Sequence, residues 1–188
     1  MKLTQGRDGK WRIEDIKVNY NKKNESDLYY TNLAAVRKEW QRFDPSNEVS
    51  LFIDDEEIFD VLTNELGVDH YDKELKIYED GEVVDTIKRH VITFVLYPNQ
   101  TNPKPLVMLR TSDKNQPIGM GSLAVADNTR LKRVDMKFHL YVNKNTGKHK
   151  PAIDEFWGTV DEDDDSDYFA KKYGYNPAEE ADSEEAPW

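Results

Sequence analysis

From Val134 to Val142 the chain alternates without a break: Val134, Met136, Phe138, Leu140 and Val142 are apolar, and Asp135, Lys137, His139 and Tyr141 stand between them. A period of two belongs to a β-strand with one face on a core and the other in solvent; a helix would scatter these residues around its circumference. Asn145-Thr146-Gly147 follows as a hairpin signal, and β-forming residues return from about Pro151 to Val160. A lone hairpin is marginal in water, so the pattern commits the chain to a larger sheet whose other strands lie elsewhere in the sequence.

Several segments supply them. Lys10 to Val18 has β-forming residues but a poor period, and Lys22 to Asp27 reads as a polar loop. Leu28 to Phe43 fits either a helix or a strand followed by a loop. Glu48 to Ile53 alternates, with Val49, Leu51 and Ile53 on one side and Ser50 and Phe52 on the other. Asp54 then caps a helix with Glu57 three residues on; Ile58, Val61, Leu62 and Leu66 give its buried stripe, and Gly67 its C′ position. Strand signals resume at Leu75 to Tyr78, turn at Glu79-Asp80-Gly81-Glu82, and recur at His90 to Tyr97 and Leu106 to Thr111. At least five short strands with one clear helix predict a mainly β fold, a partly open five-stranded barrel of the oligonucleotide-binding (OB) type.

The folded part is expected to span 1–160. Asp161 to Asp165 is a run of like charges that cannot pack, so 161–188 is predicted to be an acidic, disordered tail. The net charge of −11 would argue against a nucleic-acid partner if it were evenly spread. It is not. Residues 1–85 hold 12 Lys/Arg and 21 Asp/Glu; residues 86–150 hold 12 Lys/Arg and three acids, Asp113, Asp127 and Asp135; residues 151–188 hold two Lys and 13 acids. A basic block thus lies inside an acidic protein. There are no cysteines, no stretch of about 20 apolar residues, and no apolar run in Met1 to Gly6, so the expectation is a soluble, cytoplasmic protein without a membrane partner.

Few residues ask for catalysis. The four histidines, His70, His90, His139 and His149, share no helix or metal-ligand spacing, and no Walker loop, dinucleotide loop, GxSxG elbow or HExxH is present. Asp161 to Asp165 lacks the alternating ligands and glycine of an EF-hand. The reading is a non-enzyme with no cofactor and no metal.

Binding of a single strand fits better, since it needs cations for the phosphates and aromatic faces for the bases. Lys137, His139 and Tyr141 share the outward side of the alternating strand. Arg130, Lys132 and Arg133 precede it, and Lys144, Lys148 and Lys150 surround the hairpin tip. Arg110 on a neighbouring strand and the outward aromatics Phe52, Tyr78 and Tyr97 complete the predicted DNA-binding set, while Trp40 and Trp157 are read as core. A tethered polyanion would compete with DNA for this basic surface. The closing residues Asp182, Glu184, Glu185, Pro187 and Trp188 are then expected to bind a partner through an aromatic anchor with an acidic flank.

Three stretches carry a resemblance: Asn47 to Gly67, Pro105-Leu106-Val107-Met108-Leu109, and Arg133-Val134-Asp135 onward to Glu155-Phe156-Trp157-Gly158-Thr159-Val160. With the acidic tail, they resemble bacteriophage single-stranded DNA-binding proteins of the OB type. The resemblance implies sequence-independent coating of single-stranded DNA during phage replication, recombination or repair in a bacterial host. It also implies recruitment of replication or recombination proteins by the tail, and it allows a homodimer. Two other readings stay open: a phage virion or assembly protein with a docking tail, and an acidic DNA-mimic inhibitor.

Overall fold

A computed structural model describes residues 1–162. Its centre is the alternating segment, strand β9 (Leu131–Val142), paired antiparallel with β10 (His149–Val160) on one side and β2 (Trp11–Lys17) on the other. Val134, Met136 and Phe138 are buried as their alternation requires. Leu140 is only partly covered and Val142 is 53% exposed, because the hairpin runs past the end of the core. Gly158 of β10 lies so close to Leu131 that an added Cβ would stand 2.9 Å from Cδ2, so a side chain is excluded at this crossing.

The main ladder runs β1 (Lys2–Gln5), β2, β9, β10, β6 (Glu82–Val95), β4 (Glu48–Phe52), β3 (Leu28–Asn32). Strand β5 (Tyr71–Glu79) pairs with β6; β7 (Leu106–Arg110) pairs parallel with β10 and antiparallel with β8 (Asn115–Pro117). Among the described residues the sheet therefore has ten strands and is not closed, twice the five expected of a partly open barrel. The additional strands are short or exposed and show little alternation: β1 has only Leu3 as an apolar residue, and most of the β5–β6 hairpin projects into solvent. The poor period of β2 also has a cause. The backbone turns to positive φ at Asp15, and a bulge between Ile13 and Ile16 lets both isoleucines face the core.

One core unites these strands. Phe94 of β6 meets Phe138 of β9 edge-on with centroids 5.0 Å apart, and Val49, Leu51, Ile92, Val107, Leu109 and Phe156 surround them. Helix α1 (Glu56–Asp60), continued by a π-helical turn Val61–Glu65, adds Ile58 and Leu62. A second helix, α2 (Leu123–Asn128), adds Leu123 and Ala126; it lies in the segment read as irregular.

The cap of α1 is Asp55, which accepts from the amides of Glu57 and Ile58, rather than the expected Asp54. Asp54 instead accepts from Arg89, 2.9 Å from Nε, and the same buried guanidinium donates to the carbonyls of Lys23, Asn24 and Ser26 and lies 4.1 Å over the Phe52 ring. Gly67, at positive φ, ends the helix as expected. At the β5–β6 hairpin, Asp80 and Gly81 both take positive φ, the conformation a two-residue hairpin turn demands.

Candidate nucleic-acid interface

Residues opposite each other in a ladder share a face, so the register defines the surface that faces away from the core. Arg12 of β2 opposes Lys137 of β9, which opposes Glu155 of β10. His139 opposes Ala152, which opposes Val95 of β6 and, through it, Glu48 of β4. Tyr141 opposes Lys150; Thr93 of β6 opposes Ser50, which opposes Tyr30 of β3. The outward side chains of β2, β9, β10, β6, β4 and β3 therefore belong to one continuous sheet face.

That face is rich in ion pairs. Lys137 is 2.8 Å from Asp8 and 3.7 Å from Glu155, and its side chain is only 16% exposed. The Asp8 hydrogen bond raises the Lys137 pKa, and the same bond lowers that of Asp8. Arg110 bonds Asp135 at 2.6 Å and stacks 4.6 Å over the indole of Trp157, whose Nε1 donates to Glu155. Arg133 lies 3.5 Å from both Asp15 and Asp135. His139 meets the buried Asp154 at 3.0 Å, and Lys10 reaches its other oxygen at 3.1 Å. A recess of about 190 Å³ lies among Arg12, Arg110, Asp135, Lys137, Glu155 and Trp157.

A second group of cations is differently placed. Lys132, Lys144 and Lys150 form no ion pair among the described residues, while Lys148 is held by Asp69 at 2.8 Å. Arg130 packs 5.7 Å over Tyr20 and reaches Asp161 at 3.9 Å. The hydroxyls of Tyr97 and Tyr141 hydrogen-bond to each other with their rings 5.7 Å apart. Burial, and then this bond, drives the Tyr141 phenol far above its usual range.

The predicted residues thus divide. Arg110, Arg133, Lys137, His139, Tyr141 and Lys150 come together on the outward face with Tyr97 at its margin; Arg130 and Lys132 flank the start of β9, and Lys144 and Lys148 the hairpin. Two do not join them. Phe52 is fully buried beneath Arg89, with Tyr29 tilted against it at 4.7 Å, so no base can reach it. Tyr78 is exposed but pairs with Val83 near the tip of the β5–β6 hairpin, away from β9 and β10. Asp182, Glu184, Glu185, Pro187 and Trp188 lie outside the described residues.

Sequence reasoning left the loop after β3 as one of two alternatives for 28–43 and did not assign it to the interface. Trp40 is 72% and Phe43 84% exposed, which corrects the core reading of Trp40, and Trp40 stands edge-on to Tyr30 of the outward face at 6.4 Å. Arg37, Lys38 and Arg42 alternate with these aromatics. The loop is rooted firmly: Asp127 accepts from the amides of Leu33 and Ala34 at 2.7 and 2.8 Å, and Asn32 bonds both backbone groups of Val36. Burial raises the Asp127 pKa, opposed by these two amide bonds. Cations interleaved with aromatics were the available signal.

Trp157, also read as core, lies on the outward face beneath Arg110. The hairpin brings three residues distant in sequence together: His70, Asp72 and His90 form a group whose ligand atoms lie within 4.8 Å of one another. No helix among the described residues is long and apolar enough to cross a membrane. Comparison with protein-family profiles, curated proteins and solved structures found no match.

Proposed function

We propose that this chain binds single-stranded DNA without sequence preference, along the outward face of its sheet. One observation carries the reading: lysines that form no ion pair among the described residues (Lys132, Lys144, Lys150) lie on or beside an outward face that joins Tyr30 of β3, Tyr97 just after β6 and Tyr141 of β9 to an exposed loop bearing Trp40 and Phe43. Phosphates would be met by the lysines and bases by the rings, each stacked base contributing about 1–3 kcal/mol. We read β2, β9, β10, β6 and β4, consecutive in the ladder, as the five strands of an OB-type sheet to which the others are added. The acidic segment from 161 onward supports a competitor for the same surface and a recruitment arm for replication or recombination proteins. Fluorescence titration with labelled oligo-dT at low salt, against duplex of equal length, tests the reading. Saturable binding with a preference for the single strand is expected; failure to bind, even after removal of 161–188, overturns it.

A further inference from the structure

We propose that His70, Asp72 and His90 form a binding site for a divalent transition-metal cation of the zinc class. The backbone dictates the grouping. His70 immediately precedes β5 and Asp72 is its second residue, and their donor atoms converge on the same side of the chain. His90 of β6 is the direct cross-strand partner of Asp72. Three ligands thus occupy one side of a two-stranded ribbon, with their donor atoms within 4.8 Å of one another.

The chemistry of the set is that of zinc: two imidazoles and one carboxylate, with a fourth position open to solvent. Zinc holds such ligands at about 2.0–2.2 Å, which spaces them roughly 3.4 Å apart around a tetrahedron. His90 Nδ1 and Asp72 Oδ1 are 2.6 Å apart, so the cation enters by replacing the shared proton and parting them by less than an ångström. The surroundings orient the ligands. Phe59 of α1 stacks on the His90 ring at 4.2 Å and 18°, and meets the His70 ring edge-on at 4.9 Å and 83°. Lys88 holds the far oxygen of Asp72 at 2.7 Å, which turns Oδ1 toward the imidazoles. Nearby Asp69 is engaged by Lys148 and does not compete.

Zinc added to metal-stripped, full-length protein, followed by calorimetry with a chromogenic chelator as competitor, tests the site. One equivalent is expected to bind. His70→Ala and His90→Ala should each weaken it at least tenfold, Asp72→Asn should weaken it less, and His139→Ala should leave it unchanged. Cobalt should give the intense visible absorption of a tetrahedral ion in the wild type and in His139→Ala, and not in His70→Ala or His90→Ala. The unfolding midpoint should rise with zinc in the wild type and stay fixed in His90→Ala. Absence of a stoichiometric site, retention of full affinity in both histidine variants, or loss of binding in His139→Ala overturns the proposal. None of these readouts uses DNA.

Discussion

The cations of the outward face should not contribute equally to binding, and the ion pairs say which ones will. A cation that meets a phosphate releases the counterions condensed there, giving a slope of about −0.7 in log K against log salt per contact on a single strand. That arithmetic assumes the cation was free. Lys137 must first leave Asp8 and Glu155, and Arg133 must leave Asp15 and Asp135; the abandoned carboxylates then take up cations from solution. Their net release is close to zero. Lys132, Lys144 and Lys150 carry no such debt among the described residues. Replacing these three with Ala should therefore reduce the magnitude of the slope by up to about 2. Between 50 and 200 mM salt that corresponds to about 16-fold of the wild-type loss in affinity. Lys137→Ala should weaken binding, because Asp8 and Glu155 lose their cation beside the strand, while leaving the slope nearly unchanged, because a lysine already neutralised contributes no net counterion release. Oligo-dT titrations across that salt range measure both. A slope unaltered in the triple variant, or reduced as much by Lys137→Ala as by replacing one of these three lysines, would refute the distinction.

Three further outcomes are expected. Trp40→Ala should weaken oligo-dT binding by about 5- to 150-fold, the equivalent of one stacked base, with no change in salt slope and little in thermal midpoint; unchanged affinity would remove the loop from the interface. Arg89→Met should destabilise the fold by about 3–5 kcal/mol in urea denaturation, because Asp54 and three backbone carbonyls lose their donor together; a loss below about 1 kcal/mol would mean that water replaces the guanidinium without penalty. Truncation after Val160 should tighten oligo-dT binding, most strongly at low salt, and equal affinities with and without the tail would refute competition.

How much of this was legible in the sequence depended on whether a residue's neighbours lay along the chain or across it. The β9–β10 hairpin, the turn at Asp80-Gly81 and the glycine that ends α1 are local, and each was marked by period or by a residue suited to positive φ. Phe52 failed for a non-local reason. Its alternation with Leu51 and Ile53 was read correctly, but Arg89, 37 positions later, covers the other side of β4. Trp40 failed in the opposite direction: apolar character suggested burial, yet it sits in a loop whose root at Asn32, Asn47 and Asp127 holds it at the margin of the sheet. The pairing of His90 with Asp72 was hidden because a 20-residue span between His70 and His90 carries no ligand spacing until the hairpin register closes it.

The same distinction changes what the acidic composition means. The basic block of 86–150 looked separate from the acids in sequence, but the sheet brings Asp8 and Asp15 from one end and Asp154 and Glu155 from the other onto the very strand that carries its cations. Much of the block's surplus is spent on fixing side chains within the sheet rather than on attracting a polyanion. A face neutralised in this way draws nucleic acid weakly from a distance and must hold it through short-range contacts. The rings at its margin then carry a larger share of the affinity than the lysine count suggests. Wild-type binding should accordingly show a salt slope well below the one implied by all 12 cations of the block, and Trp40→Ala should cost more affinity at 200 mM salt than any single lysine. A slope approaching that full count would mean that the ion pairs open on binding and that charge dominates after all.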